Sequence, residues 1–258
     1  MSINISIANQ KGGVGKTAST YCLAAAKART GKKVLMIDLD QQCTLTDNCG
    51  MKPDDESFEG MNTCKLFEKE TKPFDCCFRV SSTNFDNLFI VPSSIFLATV
   101  ETKLSFNALH MNNSGIEIFK DNIEKLGQYF DYIFFDCLPS LGALLISALV
   151  VSDKVVIPVI PDRSSVIGIP QLIETIDSIK LDANKKLKIA GIIATKYRTQ
   201  KAEHSKYLED LEKYNLPILG IIPEASIVTK EFDFGRSCVD AHPTSLPAKE
   251  YIKIATKI

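Results

Sequence analysis

The sequence predicts an α/β fold, doubly wound around a mostly parallel sheet of about seven strands, and three observations carry that prediction. Short runs rich in Ile and Val recur along the 258 residues. Longer segments of helical period separate them. The runs are continuously apolar, as strands covered on both faces by helices must be. Strands are expected at 3–9, 33–39, 87–91, 131–137, 154–160, 188–195 and 218–222. Helices are expected at 16–30, closed by Gly31 in a C-cap position, and then at 115–127, 142–151, 165–180 and 199–214. A last helix at 245–257 places Ala248, Ile252, Ala255 and Ile258 on one stripe. In such a sheet, ligands sit at the carboxyl ends of the strands. The stretch 50–86 breaks the rhythm, with Gly50, Pro53, Gly60 and Pro73 among charged residues and room for a short helix near 61–69. It reads as a surface excursion from a single domain spanning 1–258, since no repeat or linker divides the chain.

The composition, 45% hydrophobic and 24% charged, is that of a soluble globular protein. A net charge of −1 excludes polyanion binding by bulk attraction, so any nucleic-acid surface has to be a local patch. The charge is unevenly spread: from Lys185 onward, Lys and Arg outnumber Asp and Glu by 13 to 9, against 17 to 22 before it. The eight cysteines form no C-x-x-C pair and the three histidines are scattered, which favours reduced, buried thiols in a cytoplasmic protein over disulfides or a metal site. The opening residues read as a strand with no basic n-region or apolar h-region, so no signal peptide is expected, and the longest apolar run, 141–151, falls short of a membrane span.

The most specific signal is Asn9-Gln10-Lys11-Gly12-Gly13-Val14-Gly15-Lys16-Thr17, placed between the first strand and the first helix. A triphosphate needs several converging backbone N–H groups, and glycines let the main chain take the dihedrals and the close approach this requires. The helix N-terminus adds partial positive charge. Lys16 can reach the β- and γ-phosphate oxygens, and the Thr17 hydroxyl can ligate Mg²⁺. This is a P-loop. Further along, Tyr132-Ile133-Phe134-Phe135-Asp136 is an apolar strand that delivers a carboxylate to its carboxyl end, where Asp136 can hold the hydration shell of the Mg²⁺.

The segment IANQKGGVGKT resembles the deviant Walker A box of the ParA/MinD ATPase family, marked by an additional lysine, here Lys11. The resemblance implies ATP and Mg²⁺ as cofactors, a nucleotide site built from Lys11, Gly12, Gly13, Val14, Gly15, Lys16, Thr17 and Ala18, and an ATP-dependent homodimer. In that dimer Lys11 reaches the phosphates bound to the other subunit, a cation in trans like an arginine finger. Ala18 stands where the family usually has Ser or Thr, which leaves only its backbone N–H. Asp38-Leu39-Asp40-Gln41-Gln42 is similar to the family's D-x-D-P-Q segment. It makes Asp40 the residue that orients or deprotonates the attacking water, and a second water-mediated metal contact, with Asp38 in support. Cys137-Leu138-Pro139-Ser140-Leu141-Gly142 resembles the family's switch segment. Ile221-Ile222-Pro223 corresponds to its I-P strand end, so Pro223 and Ala225 are expected to line the base pocket.

The same resemblance implies weak, partner-stimulated ATP hydrolysis, non-specific DNA binding, and plasmid or chromosome partition with a ParB-type centromere-binding partner, with no membrane role. Family members bind DNA through basic residues in the carboxyl-terminal third. The arginine they carry just beyond the I-P pair is missing, because Glu224 and Ile227 occupy those positions. Arg198, Lys201, Lys206, Lys230 and Arg236 remain as candidates, with Lys249, Lys253 and Lys257 spaced four apart on one helix face. Two other readings stand beside this one: a MinD-like positioning ATPase at a membrane, and an adaptor or carrier ATPase acting on protein partners.

Overall fold

A computed structural model describes residues 1–53, 58, 60–110 and 114–258, apart from the side chain of Val166. Among them the strands β1 (Ile3–Ile7), β2 (Val34–Asp38), β3 (Phe78–Arg79), β4 (Leu88–Val91), β5 (Tyr132–Asp136), β6 (Lys154–Val159), β7 (Lys188–Tyr197) and β8 (Ile218–Pro223) form one sheet in the order β3-β4-β2-β5-β1-β6-β7-β8. Every neighbouring pair is parallel except β3 with β4. The expected doubly wound sheet is therefore present with eight strands instead of seven. The additional one is an antiparallel edge strand of two residues, too short to leave a period in the sequence.

The helices follow from the same alternation. On β2, Val34 and Met36 face one layer while Leu35 and Ile37 face the other, and all are fully buried. One layer holds α1 (Lys16–Ala28) and α10 (Leu246–Ala255); the other holds α4 (Ser114–Leu126), α5 (Ala143–Val151) and α6 (Arg163–Asp182). Helix α1 contains Ala24, Ala25, Ala26 and Ala28, whose small side chains let it lie between the sheet and α10 with almost every residue buried. Helix α7 (Ala202–Glu212) contributes Leu211 to the second layer.

Three parts were not anticipated. The segment 50–86 is not merely superficial: Thr63, Leu66, Cys76 and Val80 are buried. The helix expected near 61–69 is a single 3₁₀ turn at Thr63–Phe67, and a second such turn covers Pro73–Cys76. Residues 54–57 and 59 of that excursion lie outside the described residues. Helix α3 (Leu97–Leu109) buries only Leu97 and Leu104, while Phe106 and Leu109 face outward, so its apolar residues do not fall on one stripe. The short helices α2 (Thr44–Asn48), α8 (Ile227–Lys230) and α9 (Cys238–Ala241) each occupy only four or five residues. Helices that short are held by tertiary contacts and not by sequence periodicity.

Candidate nucleotide-binding site

Strand β1 ends at the centre of the sheet between β5 and β6, and the side chain of Asn9 fixes where the chain leaves it. Its Nδ2 donates to the Pro158 carbonyl on β6 at 2.8 Å, and its Oδ1 accepts from the Lys11 N–H at 2.9 Å. The loop then turns through Gly13 at φ 74° and Gly15 at φ 85°, left-handed conformations that cost an ordinary L-residue about 1–2 kcal/mol. Helix α1 starts immediately after Gly15. None of the N–H groups from Gly12 to Gly15 finds an acceptor among the described residues. Four unpaired donors at the mouth of a helix make an anion nest.

A cavity of about 770 Å³ opens on this nest, lined by Gly12, Gly13, Gly15, Lys16, Thr17 and Ala18, by Asp40, and by Pro223 at the end of β8 and Ala225 just beyond it. The structure thus brings to one cavity the β2 end, the expected base-pocket residues and the P-loop apart from Lys11 and Val14, whose side chain is packed in the interior. The wall also includes Thr44 and Asn48 of α2, Thr195 and Lys196 of β7, and Phe232 and Tyr251, which sequence reasoning missed. Thr195 and Lys196 lie near the carboxyl end of a parallel strand, the position where such folds bind ligands, and that rule was the signal available for them.

Lys16 is only 7% exposed, and its ammonium donates to the Lys11 carbonyl at 3.0 Å. Burial pulls its pKa down, opposed by the charges of Asp136, Cys137 and Asp40. Asp136 is buried beneath it. One carboxylate oxygen accepts from the Thr20 hydroxyl at 3.1 Å, and the other, Oδ2, has no partner. Burial first, and then the Asp38 charge, push the Asp136 carboxyl up to about 8, against the opposing pull of the Thr17 and Thr20 hydroxyls and Lys16. An unpaired buried carboxylate oxygen beside a threonine is the donor set a hard cation such as Mg²⁺ uses, so Thr17 and Asp136 fit the metal the sequence implies.

That arrangement makes Asp136→Asn informative. A carboxyl whose folded pKa is raised binds its proton more tightly than the unfolded chain does. Its destabilisation therefore grows as pH rises from about 4 and is complete above about 8. Without divalent cation, the Asn variant should melt several degrees above the parent at pH 8, and by less at pH 5, for a difference on the order of 1–3 kcal/mol. Thermal melts at the two pH values check this. Added nucleotide with Mg²⁺ should raise the melting temperature of the parent more than that of the variant.

Asp38 and Asp40 are separated in role by their surroundings. Asp38 is fully buried and accepts from the Thr46 N–H at 2.9 Å, the Thr46 hydroxyl at 2.7 Å and the Asp40 N–H at 3.1 Å. It ties the β2 end to α2, and burial lifts its carboxyl to about 6. Asp40 instead faces the cavity, its Oδ1 steadied by the Gln42 N–H at 2.9 Å.

Lys11 is placed elsewhere. Its ammonium sits 2.9 and 2.6 Å from the two carboxylate oxygens of Asp162, 2.6 Å from the Ser164 hydroxyl and 3.1 Å from that of Ser165, at the N-terminus of α6. Together with the Ser165 N–H, these bonds depress Asp162 to about 2 despite its partial burial. Lys11 is absent from the lining of its own cavity.

The basic candidates also sort themselves. Arg198 is engaged by Glu224, and Arg236 by Glu231 at 3.0 Å, while Lys257 donates to the Leu219 carbonyl at 2.6 Å. Lys201, Lys206, Lys230, Lys249 and Lys253 are exposed, and no ion pair engages them among the described residues.

Comparison with known proteins places this geometry. Residues 2–189 match a family model described as an AAA domain. The chain is 31% identical over 257 residues to the sporulation initiation inhibitor protein Soj of Bacillus subtilis, covering 98% of this chain and 97% of that protein. It is 30% identical over 213 residues to the chromosome partitioning protein ParA of Myxococcus xanthus, covering 81% of this chain and 70% of that one. Among solved structures, cobyrinic acid a,c-diamide synthase from Mycobacterium smegmatis, crystallised with ADP and magnesium, superposes with a TM-score of 0.82 at 27% identity. That match covers 99% of this chain and 93% of the other. With the glycine loop, the acidic strand ends and these full-length relationships together, the chain belongs to the ParA/Soj group of P-loop ATPases.

Proposed function

We propose that this ATPase is a partition motor. It binds Mg-ATP in the cavity at the end of β1, pairs with a second copy of itself, holds DNA without sequence preference, and releases it when a ParB-type partner accelerates an otherwise weak hydrolysis. The observation that supports this most is the nest of unpaired N–H groups from Gly12 to Gly15, roofed by Lys16 and continuous with a pocket bounded by Pro223 and Ala225. In this reading the backbone and Lys16 bind the β- and γ-phosphates, and Ala18 contributes its N–H. Thr17 and Asp136 would hold the Mg²⁺, Asp136 through water, with Asp40 as a further water-mediated contact. The metal supplies charge neutralisation between the phosphates. Asp40, held at the cavity edge by Gln42, orients the attacking water and takes up its proton. Lys11, turned out of its own cavity and paired with Asp162, gives up that ion pair to enter the site of a partner copy, where a cation offsets charge developing on the γ-phosphoryl group.

The whole chain 1–258 acts as one ATPase unit in the cytoplasm, on the nucleoid. No described helix is long and apolar enough to cross a membrane. The exposed lysines 201, 206, 230, 249 and 253 are the DNA contacts this reading relies on, because Arg198 and Arg236 are already engaged by carboxylates. Contacts to phosphates release counterions, so three or four of them should cost roughly 40- to 150-fold in affinity between 50 and 200 mM salt. Co-sedimentation with plasmid DNA, with and without ATP and Mg²⁺, measures this. Lys249→Glu with Lys253→Glu should lower DNA retention at least tenfold while leaving nucleotide binding intact. Retention on anionic liposomes instead of DNA would replace this reading with the MinD-like one.

A further inference from the structure

Resting on the assignment of the cavity as a nucleotide site, we propose that Thr195 and Lys196, consecutive residues near the end of β7, are positioning residues that aim the N–H groups of the phosphate loop inward. Two hydrogen bonds carry the inference. The buried Thr195 hydroxyl donates to the Val14 carbonyl at 2.7 Å, and the Lys196 ammonium donates to the Gly13 carbonyl at 2.9 Å. A trans peptide directs its C=O and its N–H to opposite sides. Fixing the Gly13 carbonyl therefore fixes the direction of the Val14 N–H, and fixing the Val14 carbonyl fixes that of the Gly15 N–H. Those are two of the donors left without an acceptor. The loop's glycines make it able to bind an anion and equally able to turn its carbonyls toward it, where they would repel phosphate. Two donors on β7 remove that alternative.

The backbone of Lys196 supports a purpose beyond packing. It is held at φ 50°, in the left-handed region that a long side chain seldom occupies. Such an outlier persists only where the surrounding structure enforces it, and here the left-handed turn places the ammonium against the loop. Thr195 also stands 3.7 Å from where a Cβ on Gly15 would lie, so the strand and the loop are in van der Waals register at the same point. Neither residue is assigned a direct phosphate contact by this inference. They act through the loop, unlike Lys16.

The test uses the full chain and two probes, Mg-ADP by calorimetry and inorganic pyrophosphate as a competitor, together with the melting temperature of the nucleotide-free protein. Lys196→Asn keeps a residue at ease in the left-handed region but removes the ammonium; Thr195→Val keeps shape but removes the hydroxyl. Each should weaken ADP and pyrophosphate by the same factor, roughly three- to tenfold; free Lys196→Asn should melt within about 2 °C of the parent, and free Thr195→Val, which strips a buried carbonyl of its donor, several degrees lower. Lys196→Arg and Thr195→Ser should bind within about twofold of the parent. If both removals bind like the parent while Lys16→Ala does not, the inference is wrong. It is equally wrong if only the lysine variant weakens, because Lys196 then acts as a bare charge. Should Thr195→Val fail to fold, the Asn and Arg variants of Lys196 decide alone, and a loss with Asn that Arg does not restore overturns the inference. If Lys16→Ala itself binds like the parent, it is the nucleotide assignment that fails, and the two failures are told apart.

Discussion

Lys16→Ala is expected to lose at least 100-fold in affinity for ADP and ATP, while the nucleotide-free protein melts at or above the parent temperature. The two halves of that expectation share a cause. In the free protein the Lys16 ammonium is buried to 7% exposure with a single carbonyl hydrogen bond, so it is an underpaid charge whose pKa is drawn down by desolvation. A polyphosphate gives that charge its partner, which makes the residue costly to folding and valuable to binding. A loss of 100-fold corresponds to about 2.7 kcal/mol, within the range for removing one partner of a charge-assisted pair in a sequestered site. Calorimetric titration alongside thermal melting checks both halves. A variant that is destabilised yet binds normally would mean that Lys16 serves the fold and not the phosphates.

The second large effect is expected at Asp40. Asp40→Ala should bind ATP within a few-fold of the parent but turn it over at least 100-fold more slowly, so that an ATP-bound dimer accumulates on size-exclusion chromatography. The side chain faces the cavity and makes one backbone hydrogen bond, to Gln42, so its removal leaves the core intact. Asp38 provides the contrast. Its carboxylate collects three hydrogen bonds in a fully buried setting, so Asp38→Ala should damage stability along with activity. Single-turnover hydrolysis by the Asp40 variant at the parent rate would remove it from the chemistry.

Much of the fold was legible because burial on two faces forces continuous apolar strands, and Val34 to Asp38 or Tyr132 to Asp136 admit few other readings. The phosphate loop was legible for a stricter reason: glycine takes the φ angles at Gly13 and Gly15 without the penalty other residues meet, so the backbone requirement is written directly in residue type. What escaped detection lacked any such local requirement. Helix α3 turns Phe106 and Leu109 outward and so hides its own period, and β3 is two residues long. Thr195 and Lys196 are ordinary residues until the fold carries β7 alongside a loop 181 positions earlier in the chain. The position of Lys11 against Asp162 depends likewise on a contact across 151 residues. The basic candidates show the same limit in reverse. The sequence lists arginines and lysines together, and only the fold reveals that Glu224 and Glu231 have already claimed both arginines.

The most direct measurement is an equilibrium titration of the purified chain with a fluorescent ATP analogue, carried out in Mg²⁺ and again in excess chelator. The glycine nest, Lys16 and the unpaired oxygen of Asp136 together predict saturable one-to-one binding per chain that weakens at least tenfold when the metal is removed. Absence of binding under both conditions, or affinity indifferent to the metal, would contradict the account of what the loop after β1 is for.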